Sequence, residues 1–175
     1  FSRGIQPHVY AVVESNHVDK FVVEYFCNNN SELMAAMNDI TSEMKDAKDY
    51  GSLTHVSKQN WTILYERFSE ILDDINIYRE VTLRQLLPLV QVAEILSCKY
   101  HVVITNPPYL GGGGMNETLA EFARDNYFEA KNDMFAIFIE RGNELALPGM
   151  FNCMVTMQSW MFLSSYEKLR KRILD

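Results

Sequence analysis

Apolar residues recur at helical spacing through much of the first hundred positions. Leu33, Met37, Ile40, Met44 and Ala47 follow one another at steps of four, three, four and three, which is one face of a helix. Ser31 stands where that helix would be capped, and Gly51 where it would stop. A second stripe runs Trp61, Leu64, Tyr65, Phe68, Ile71, Leu72, Ile75, and a third Leu83, Leu86, Leu87, Val90, Ala93, Leu96. Pro88 lies inside the third, where a missing N–H and a ring clash predict a kink or a delayed start. Ahead of them, Val9-Tyr10-Ala11-Val12-Val13 reads as a short strand, and Ser15-Asn16 as caps for a helix through Phe21, Val22 and Tyr25. The stripes predict core packing, not a cofactor box.

The pattern changes at Tyr100. Tyr100-His101-Val102-Val103-Ile104-Thr105 is a β-branched run cut off by Asn106-Pro107-Pro108-Tyr109, which predicts a buried strand ending in a rigid turn. Two prolines remove two backbone donors, so the turn cannot join a sheet ladder. Four glycines follow, Gly111 to Gly114, then helical spacing at Leu119, Phe122, Ala123 and Tyr127 and again at Met134, Phe135, Ile137, Phe138 and Leu145. Pro148-Gly149 predicts a turn into a second strand, Phe151 to Met157, and Ser164-Ser165 a last helix through Leu169 and Ile173. Strand, loop, helix, turn, strand, helix is the rhythm of an α/β layer with parallel strands. Residues 1–99 thus read as a mostly helical part, and residues 100–175 as an α/β part.

Composition narrows the functions available. At 175 residues with 47% hydrophobic content, the chain has the length of one domain, or a piece of one, and enough apolar material to pack. A net charge of −7 is the wrong sign for holding nucleic acid through a general basic surface. No apolar run is long enough to suggest a membrane helix. Cys27, Cys98 and Cys153 form no Cys-x-x-Cys pair, and His8, His17, His55 and His101 are scattered, so neither a disulfide framework nor a metal site is expected. Free thiols fit a reducing cytoplasm. The opening Phe1-Ser2-Arg3-Gly4 has no initiator Met and no signal-peptide pattern, which reads as the interior of a longer protein.

Candidate chemistry collects at the proline turn, because ligands of open α/β sheets bind at the carboxyl ends of strands. Asn106 offers an amide oxygen, the flanking prolines fix where a carbonyl points, and Tyr109 supplies a flat stacking face. Together they suit a planar group bearing an –NH₂. A proline-stiffened turn with a solvent-facing Tyr explains the same spacing equally well. Gly111 to Gly114 reads as a mobile lid or as a plain connector. Lys168, Arg170, Lys171 and Arg172 read as phosphate contacts or, more simply, as a solvated helix face, and Trp160 as core.

Strand-Asn-Pro-Pro-Tyr resembles the fourth motif of the S-adenosylmethionine-dependent amino-group methyltransferases, above all the adenine-N6 DNA methyltransferases. Asp133 to Arg141 with Leu147-Pro148-Gly149 resembles their fifth-motif helix and turn, and Met154 to Met161 the strand after it. The stretch Tyr100 to Leu174 is most similar to the large adenine methyltransferases of BREX phage defence, the PglX-like type, as is Asp46 to Leu53 near the third motif. The resemblance implies a partial Rossmann-like α/β fold with a helical insertion and S-adenosyl-L-methionine as cofactor. The implied substrate is DNA, reached through the full-length parent. Asn106 and the Pro107 carbonyl would accept from the adenine amino group, Pro108 would stiffen the turn, and Tyr109 would stack on the flipped base. Asp46 would lie near the cofactor's adenine, although Asp49 could serve as well.

Departures from that pattern are equally definite. The first motif, an acidic or aromatic residue before Gly-x-Gly, is missing, since Gly111 to Gly114 follows the catalytic turn. The second-motif acid is not visible. The expectation is therefore a catalytic-domain fragment, inactive alone and open to dimerisation through uncovered sheet surface. Two rivals remain: a methyltransferase for a protein glutamine or an RNA base amino group, and a non-catalytic interaction module.

Overall fold

The computed structural model describes residues 7–174; the Phe1–Gly4 opening read above lies outside the described residues. The chain forms two compact units that divide between Ser97 and Cys98.

The first unit is helical. Its elements are α1 (Lys20–Cys27), α2 (Ser31–Glu43), the short α3 (Ala47–Tyr50), α4 (Trp61–Leu72) and α5 (Arg79–Ser97). The predicted stripes supply the core: Met37, Ile40, Met44, Leu64, Phe68, Ile71, Leu86, Val90 and Ala93 are buried together with Val22 and Phe26. The cap of α2 is Asn30, one residue before the expected Ser31; its side chain accepts from the amides of Glu32 and Leu33 at 2.9 and 3.2 Å. Arg67 closes the other end of α1, donating to the carbonyls of Phe26 at 2.7 Å and Tyr25 at 3.2 Å. Gly51, at φ 60°, ends α3 in a conformation glycine adopts without strain.

Several local expectations fail here: α2 ends at Glu43 and does not run on to Gly51, and Leu72 and Ile75 of the second stripe are exposed. Val9 to Val13 forms no strand: Val12 and Val13 pack on the helices, and the Ser15 amide donates to the Met44 carbonyl at 3.1 Å, so the segment is held by helices. The first helix begins at Lys20 behind Asp19, not at Ser15-Asn16. Pro88 sits inside a continuous α5, because the apolar face on both sides of it is buried and outweighs its local cost.

The second unit is an α/β layer. Its elements are β1 (Tyr100–Thr105), α6 (Glu117–Asn126), α7 (Met134–Leu145), β2 (Ala146–Met154), α8 (Ser159–Phe162) and α9 (Glu167–Leu174). β1 and β2 pair in parallel, with Val102 opposite Phe151, Ile104 opposite Cys153 and Thr105 opposite Met154. β2 starts at Ala146, earlier than expected, because Pro148-Gly149 does not turn the chain. It forms an irregularity inside the strand, with Gly149 at φ 76°, between the Tyr100–Ala146 and Val102–Phe151 pairs. The alternate face, with Asn152 and Met154, packs on α7, where Asn152 Nδ2 donates to the Ile139 carbonyl at 3.3 Å. The other face is open, with Ile104 76% and Phe151 64% exposed, so the expectation of a buried β1 fails.

Candidate active site

The proline turn leaves the carboxyl end of β1, and pairing persists to that point: the Val155 amide donates to the Thr105 carbonyl at 3.4 Å. Beyond it Pro107 is buried while Asn106 and Pro108 are exposed, so the turn is anchored by one proline and presents the asparagine amide outward. Tyr109 Oη donates to the Val155 carbonyl at 3.2 Å. That bond spans from the turn to the end of β2 and fixes a ring that is still 53% exposed. Asn106 and Tyr109 therefore share the carboxyl edge of a parallel pair, one presenting acceptor and donor groups, the other an oriented aromatic surface.

The segment after the turn is tied to the start of α7. The Met134 amide donates to the Leu110 carbonyl at 3.0 Å, the Gly112 amide donates to the Asn132 carbonyl at 2.9 Å, and Gly111 forms an antiparallel bridge with Asp133. Gly112–Gly114 is one turn of 3₁₀ helix. The glycine run thus has a defined conformation in this arrangement, rather than that of a loose connector.

Helix α7 also buries charge. Glu140 Oε2 accepts from Arg172 at 2.7 Å while Oε1 is buried without a partner. Burial raises its carboxyl above the usual range, against the opposing pull of Arg172. Burial likewise raises the Tyr166 phenol, with a smaller push from Asp133. The basic cluster of α9 is engaged by the protein itself. Arg170 donates to the carbonyls of Trp160 and Leu163 at 2.8 and 2.7 Å, Lys171 pairs with Glu167 at 2.8 Å, and Lys168 reaches Glu129 at 4.0 Å. Trp160 is half-buried, its Nε1 donating to Thr156 Oγ1 at 3.2 Å.

Asp46 belongs to the helical unit, apart in the chain from the turn. It stands at the start of α3 with φ 55°, and it exchanges two hydrogen bonds with Asn16, accepting at 2.5 Å and donating its amide at 2.8 Å. The sequence marks Asn16 only as a helix cap, whereas its side chain is spent on Asp46, and Asp133 only as part of a longer string. Among the described residues no group of three His, Cys, Asp or Glu could hold a metal, and no helix is long and apolar enough to cross a membrane.

A family model for the Eco57I restriction-modification methylases matches residues 25–175, through both units and across the proline turn. The chain belongs to that family. An adenine-specific methyltransferase, BrxX, from Escherichia coli O9:H4 (strain HS) is 42% identical over 132 residues, which cover 74% of this chain and 11% of the relative. The adenine-specific methyltransferase PglX of Lacticaseibacillus casei (strain Zhang) is 43% identical over 89 residues, covering 51% of this chain and 7% of the relative. The chain therefore spans only a small part of the length of these relatives. The mixed helix-and-strand architecture is compatible with the α/β methyltransferase fold of that family.

Proposed function

We propose that this chain is the part of an adenine-specific DNA methyltransferase that presents the target amino group, in a protein of BREX phage defence or restriction-modification type. One observation carries the reading: Asn106 stands exposed at the carboxyl edge of β1 beside Tyr109, whose ring is fixed by Val155. Two relatives named adenine-specific methyltransferases support it. In this reading the two strands belong to a larger Rossmann-like sheet, which the open face of Ile104 and Phe151 favours.

The chemistry asked of these residues is orientation. The Asn106 oxygen and the Pro107 carbonyl accept the two N–H bonds of a base amino group, which turns the nitrogen lone pair away from the ring plane. Pro108 limits the turn's freedom, and Tyr109 stacks on the base once it leaves the duplex. S-adenosyl-L-methionine, when bound, supplies an electrophilic methyl on sulfur. As the nitrogen gained that methyl, the sulfur–methyl bond would break to leave a neutral thioether and the amino nitrogen would lose a proton to water, so no protein base or metal is required, and positioning lowers the barrier. Asp46, the residue assigned to the cofactor's adenine, keeps acceptor capacity beyond its bond from Asn16 within the helical unit. DNA is the substrate partner and the cytoplasm the place of action.

Asn106→Ala in the full-length protein tests this. Methyl transfer should fall by about 10²–10³-fold, by analogy with removal of one oriented polar group from a catalytic site. DNA affinity should hardly move, because phosphate contacts elsewhere supply most of it. A variant with undiminished turnover defeats the proposal. Methylation of RNA or of a protein glutamine in place of DNA would hand it to the rival substrates.

A further inference from the structure

Asp133 carries a carboxylate that its own helix does not use. It is the N-cap of α7, where an aspartate ordinarily accepts from first-turn amides, yet its side chain accepts from none. Oδ1 is buried without a hydrogen-bond partner, and Oδ2 lies 3.9 Å from where a β-carbon on Gly111 would stand. Leaving a buried acceptor unpaired is costly, and more so for a charged one. The loop it faces is equally unusual. None of Gly111 to Gly114 has a positive φ, and a β-carbon at Gly111, Gly112 or Gly113 would meet nothing closer than 3.8 Å. Neither backbone strain nor crowding therefore calls for glycine at those three positions. What the glycines provide is a bare surface and a backbone free to shift, two residues beyond Tyr109.

We propose that Asp133 is a positioning residue for the Asn106–Tyr109 turn. Its carboxylate takes the backbone N–H of Gly111 or Gly113 when a nucleotide seats against Tyr109, since Gly112 and Gly114 already donate to the carbonyls of Asn132 and Gly111, and so holds the turn in its reactive placement. The inference rests on the methyl-transfer reading of that turn. Geometry limits the movement required: Leu110 and Gly112 are already bonded to Met134 and Asn132 on either side of Asp133, so the loop needs only a local shift. The bond formed would be charge-assisted, about twice as strong as a neutral one. At Gly113 nothing lies within 4 Å of where a β-carbon would stand, so the loop has open space beside it.

Hydrogen exchange on the full-length protein tests the latch without needing turnover. Plasmid DNA and S-adenosylhomocysteine should slow exchange of the Gly111 or Gly113 amide in the parent. Asp133→Ala should lose that protection, and Asp133→Asn, which keeps Oδ1 as an acceptor, should retain most of it. Single-turnover methylation by Asp133→Ala should fall about 10²-fold, the scale of a small misplacement at a reacting centre, with DNA affinity unchanged and Asp133→Asn rescuing most of the rate. Parental protection of the loop in Asp133→Ala overturns the inference. So does an equal loss in both variants accompanied by a lower melting temperature, the mark of a purely structural role. Unchanged turnover in Asn106→Ala would defeat the methyl-transfer reading, while the exchange result would still decide the latch.

Discussion

Ionising Glu140 carries a cost that its neighbours only partly offset. Burial raises its carboxyl in the folded chain, and the Arg172 pair lowers it by less. A carboxyl raised on folding contributes stability at pH below its unfolded value, and that contribution is lost as pH climbs through the folded value. Glu140→Gln, which cannot ionise, should therefore gain stability relative to the parent chain as pH rises through and above the ordinary glutamate range. Urea melts of both chains at pH 4 to 8 check this; a gap that shrinks with pH refutes it. Other residues differ in how far sequence alone exposes them. Asn106 to Tyr109 was legible because two prolines after a β-branched run allow little besides a turn at a strand end. Asp133 was not, because an aspartate before a helix reads as its cap, and only the unused carboxylate shows otherwise. Asp46 could be singled out, but its bonds to Asn16 span thirty positions and leave no local trace.

Helices were legible where an apolar stripe persists over several turns, since 3.6-residue periodicity and burial are one fact seen twice. Strands were less so. An apolar run such as Val102 to Ile104 shows that a strand is favoured, but not how many of its faces are covered; here one face is open. Val9 to Val13 has the same composition and forms no ladder, because Val12 and Val13 find cover on helices. Pro88 gives the element scale a sharp test. It lies within a helix that its neighbours hold in place, so Pro88→Ala restores a backbone donor without removing a core side chain. The helical unit should gain up to about 3 kcal/mol, the difference between the two residues in a helix interior, read from urea unfolding; no gain would mean that α5 accommodates the proline without strain. Gly142 tests the packing of α7 on β2. A β-carbon there would meet the Met154 methyl and stand 2.5 Å from Asn152 Oδ1. Asn152 is held by Ile139 and Asn143, so it cannot withdraw freely. Gly142→Ala should destabilise the α/β unit by about 1–3 kcal/mol through overpacking, seen as earlier loss of α7 amide protection.

The whole molecule carries an exposed sheet face. Register places Val102 and Ile104 on the same side as Phe151 and Cys153, while Asn152 and Met154 lie on the side that α7 covers. Parallel sheets are ordinarily covered on both faces, because their strands are joined through helices that lie against them. Val102, at 49% exposure, Ile104 and Phe151 thus form an apolar patch on a two-strand layer, beside strand edges with backbone groups available for pairing. The 175-residue chain in isolation should consequently self-associate through this patch. Its net charge of −7 opposes close approach at low salt, so association should strengthen as salt screens that repulsion. Ile104→Lys is the decisive variant. It places a charge at the most exposed point of the patch, where the native side chain contributes little to the interior, and so should leave melting temperature unchanged while removing the concentration-dependent species. Sedimentation velocity at low and high salt, on the parent chain and the variant, reads this directly. A monomeric parent at all concentrations, or a variant that associates as strongly as the parent, would place the cover for this face elsewhere.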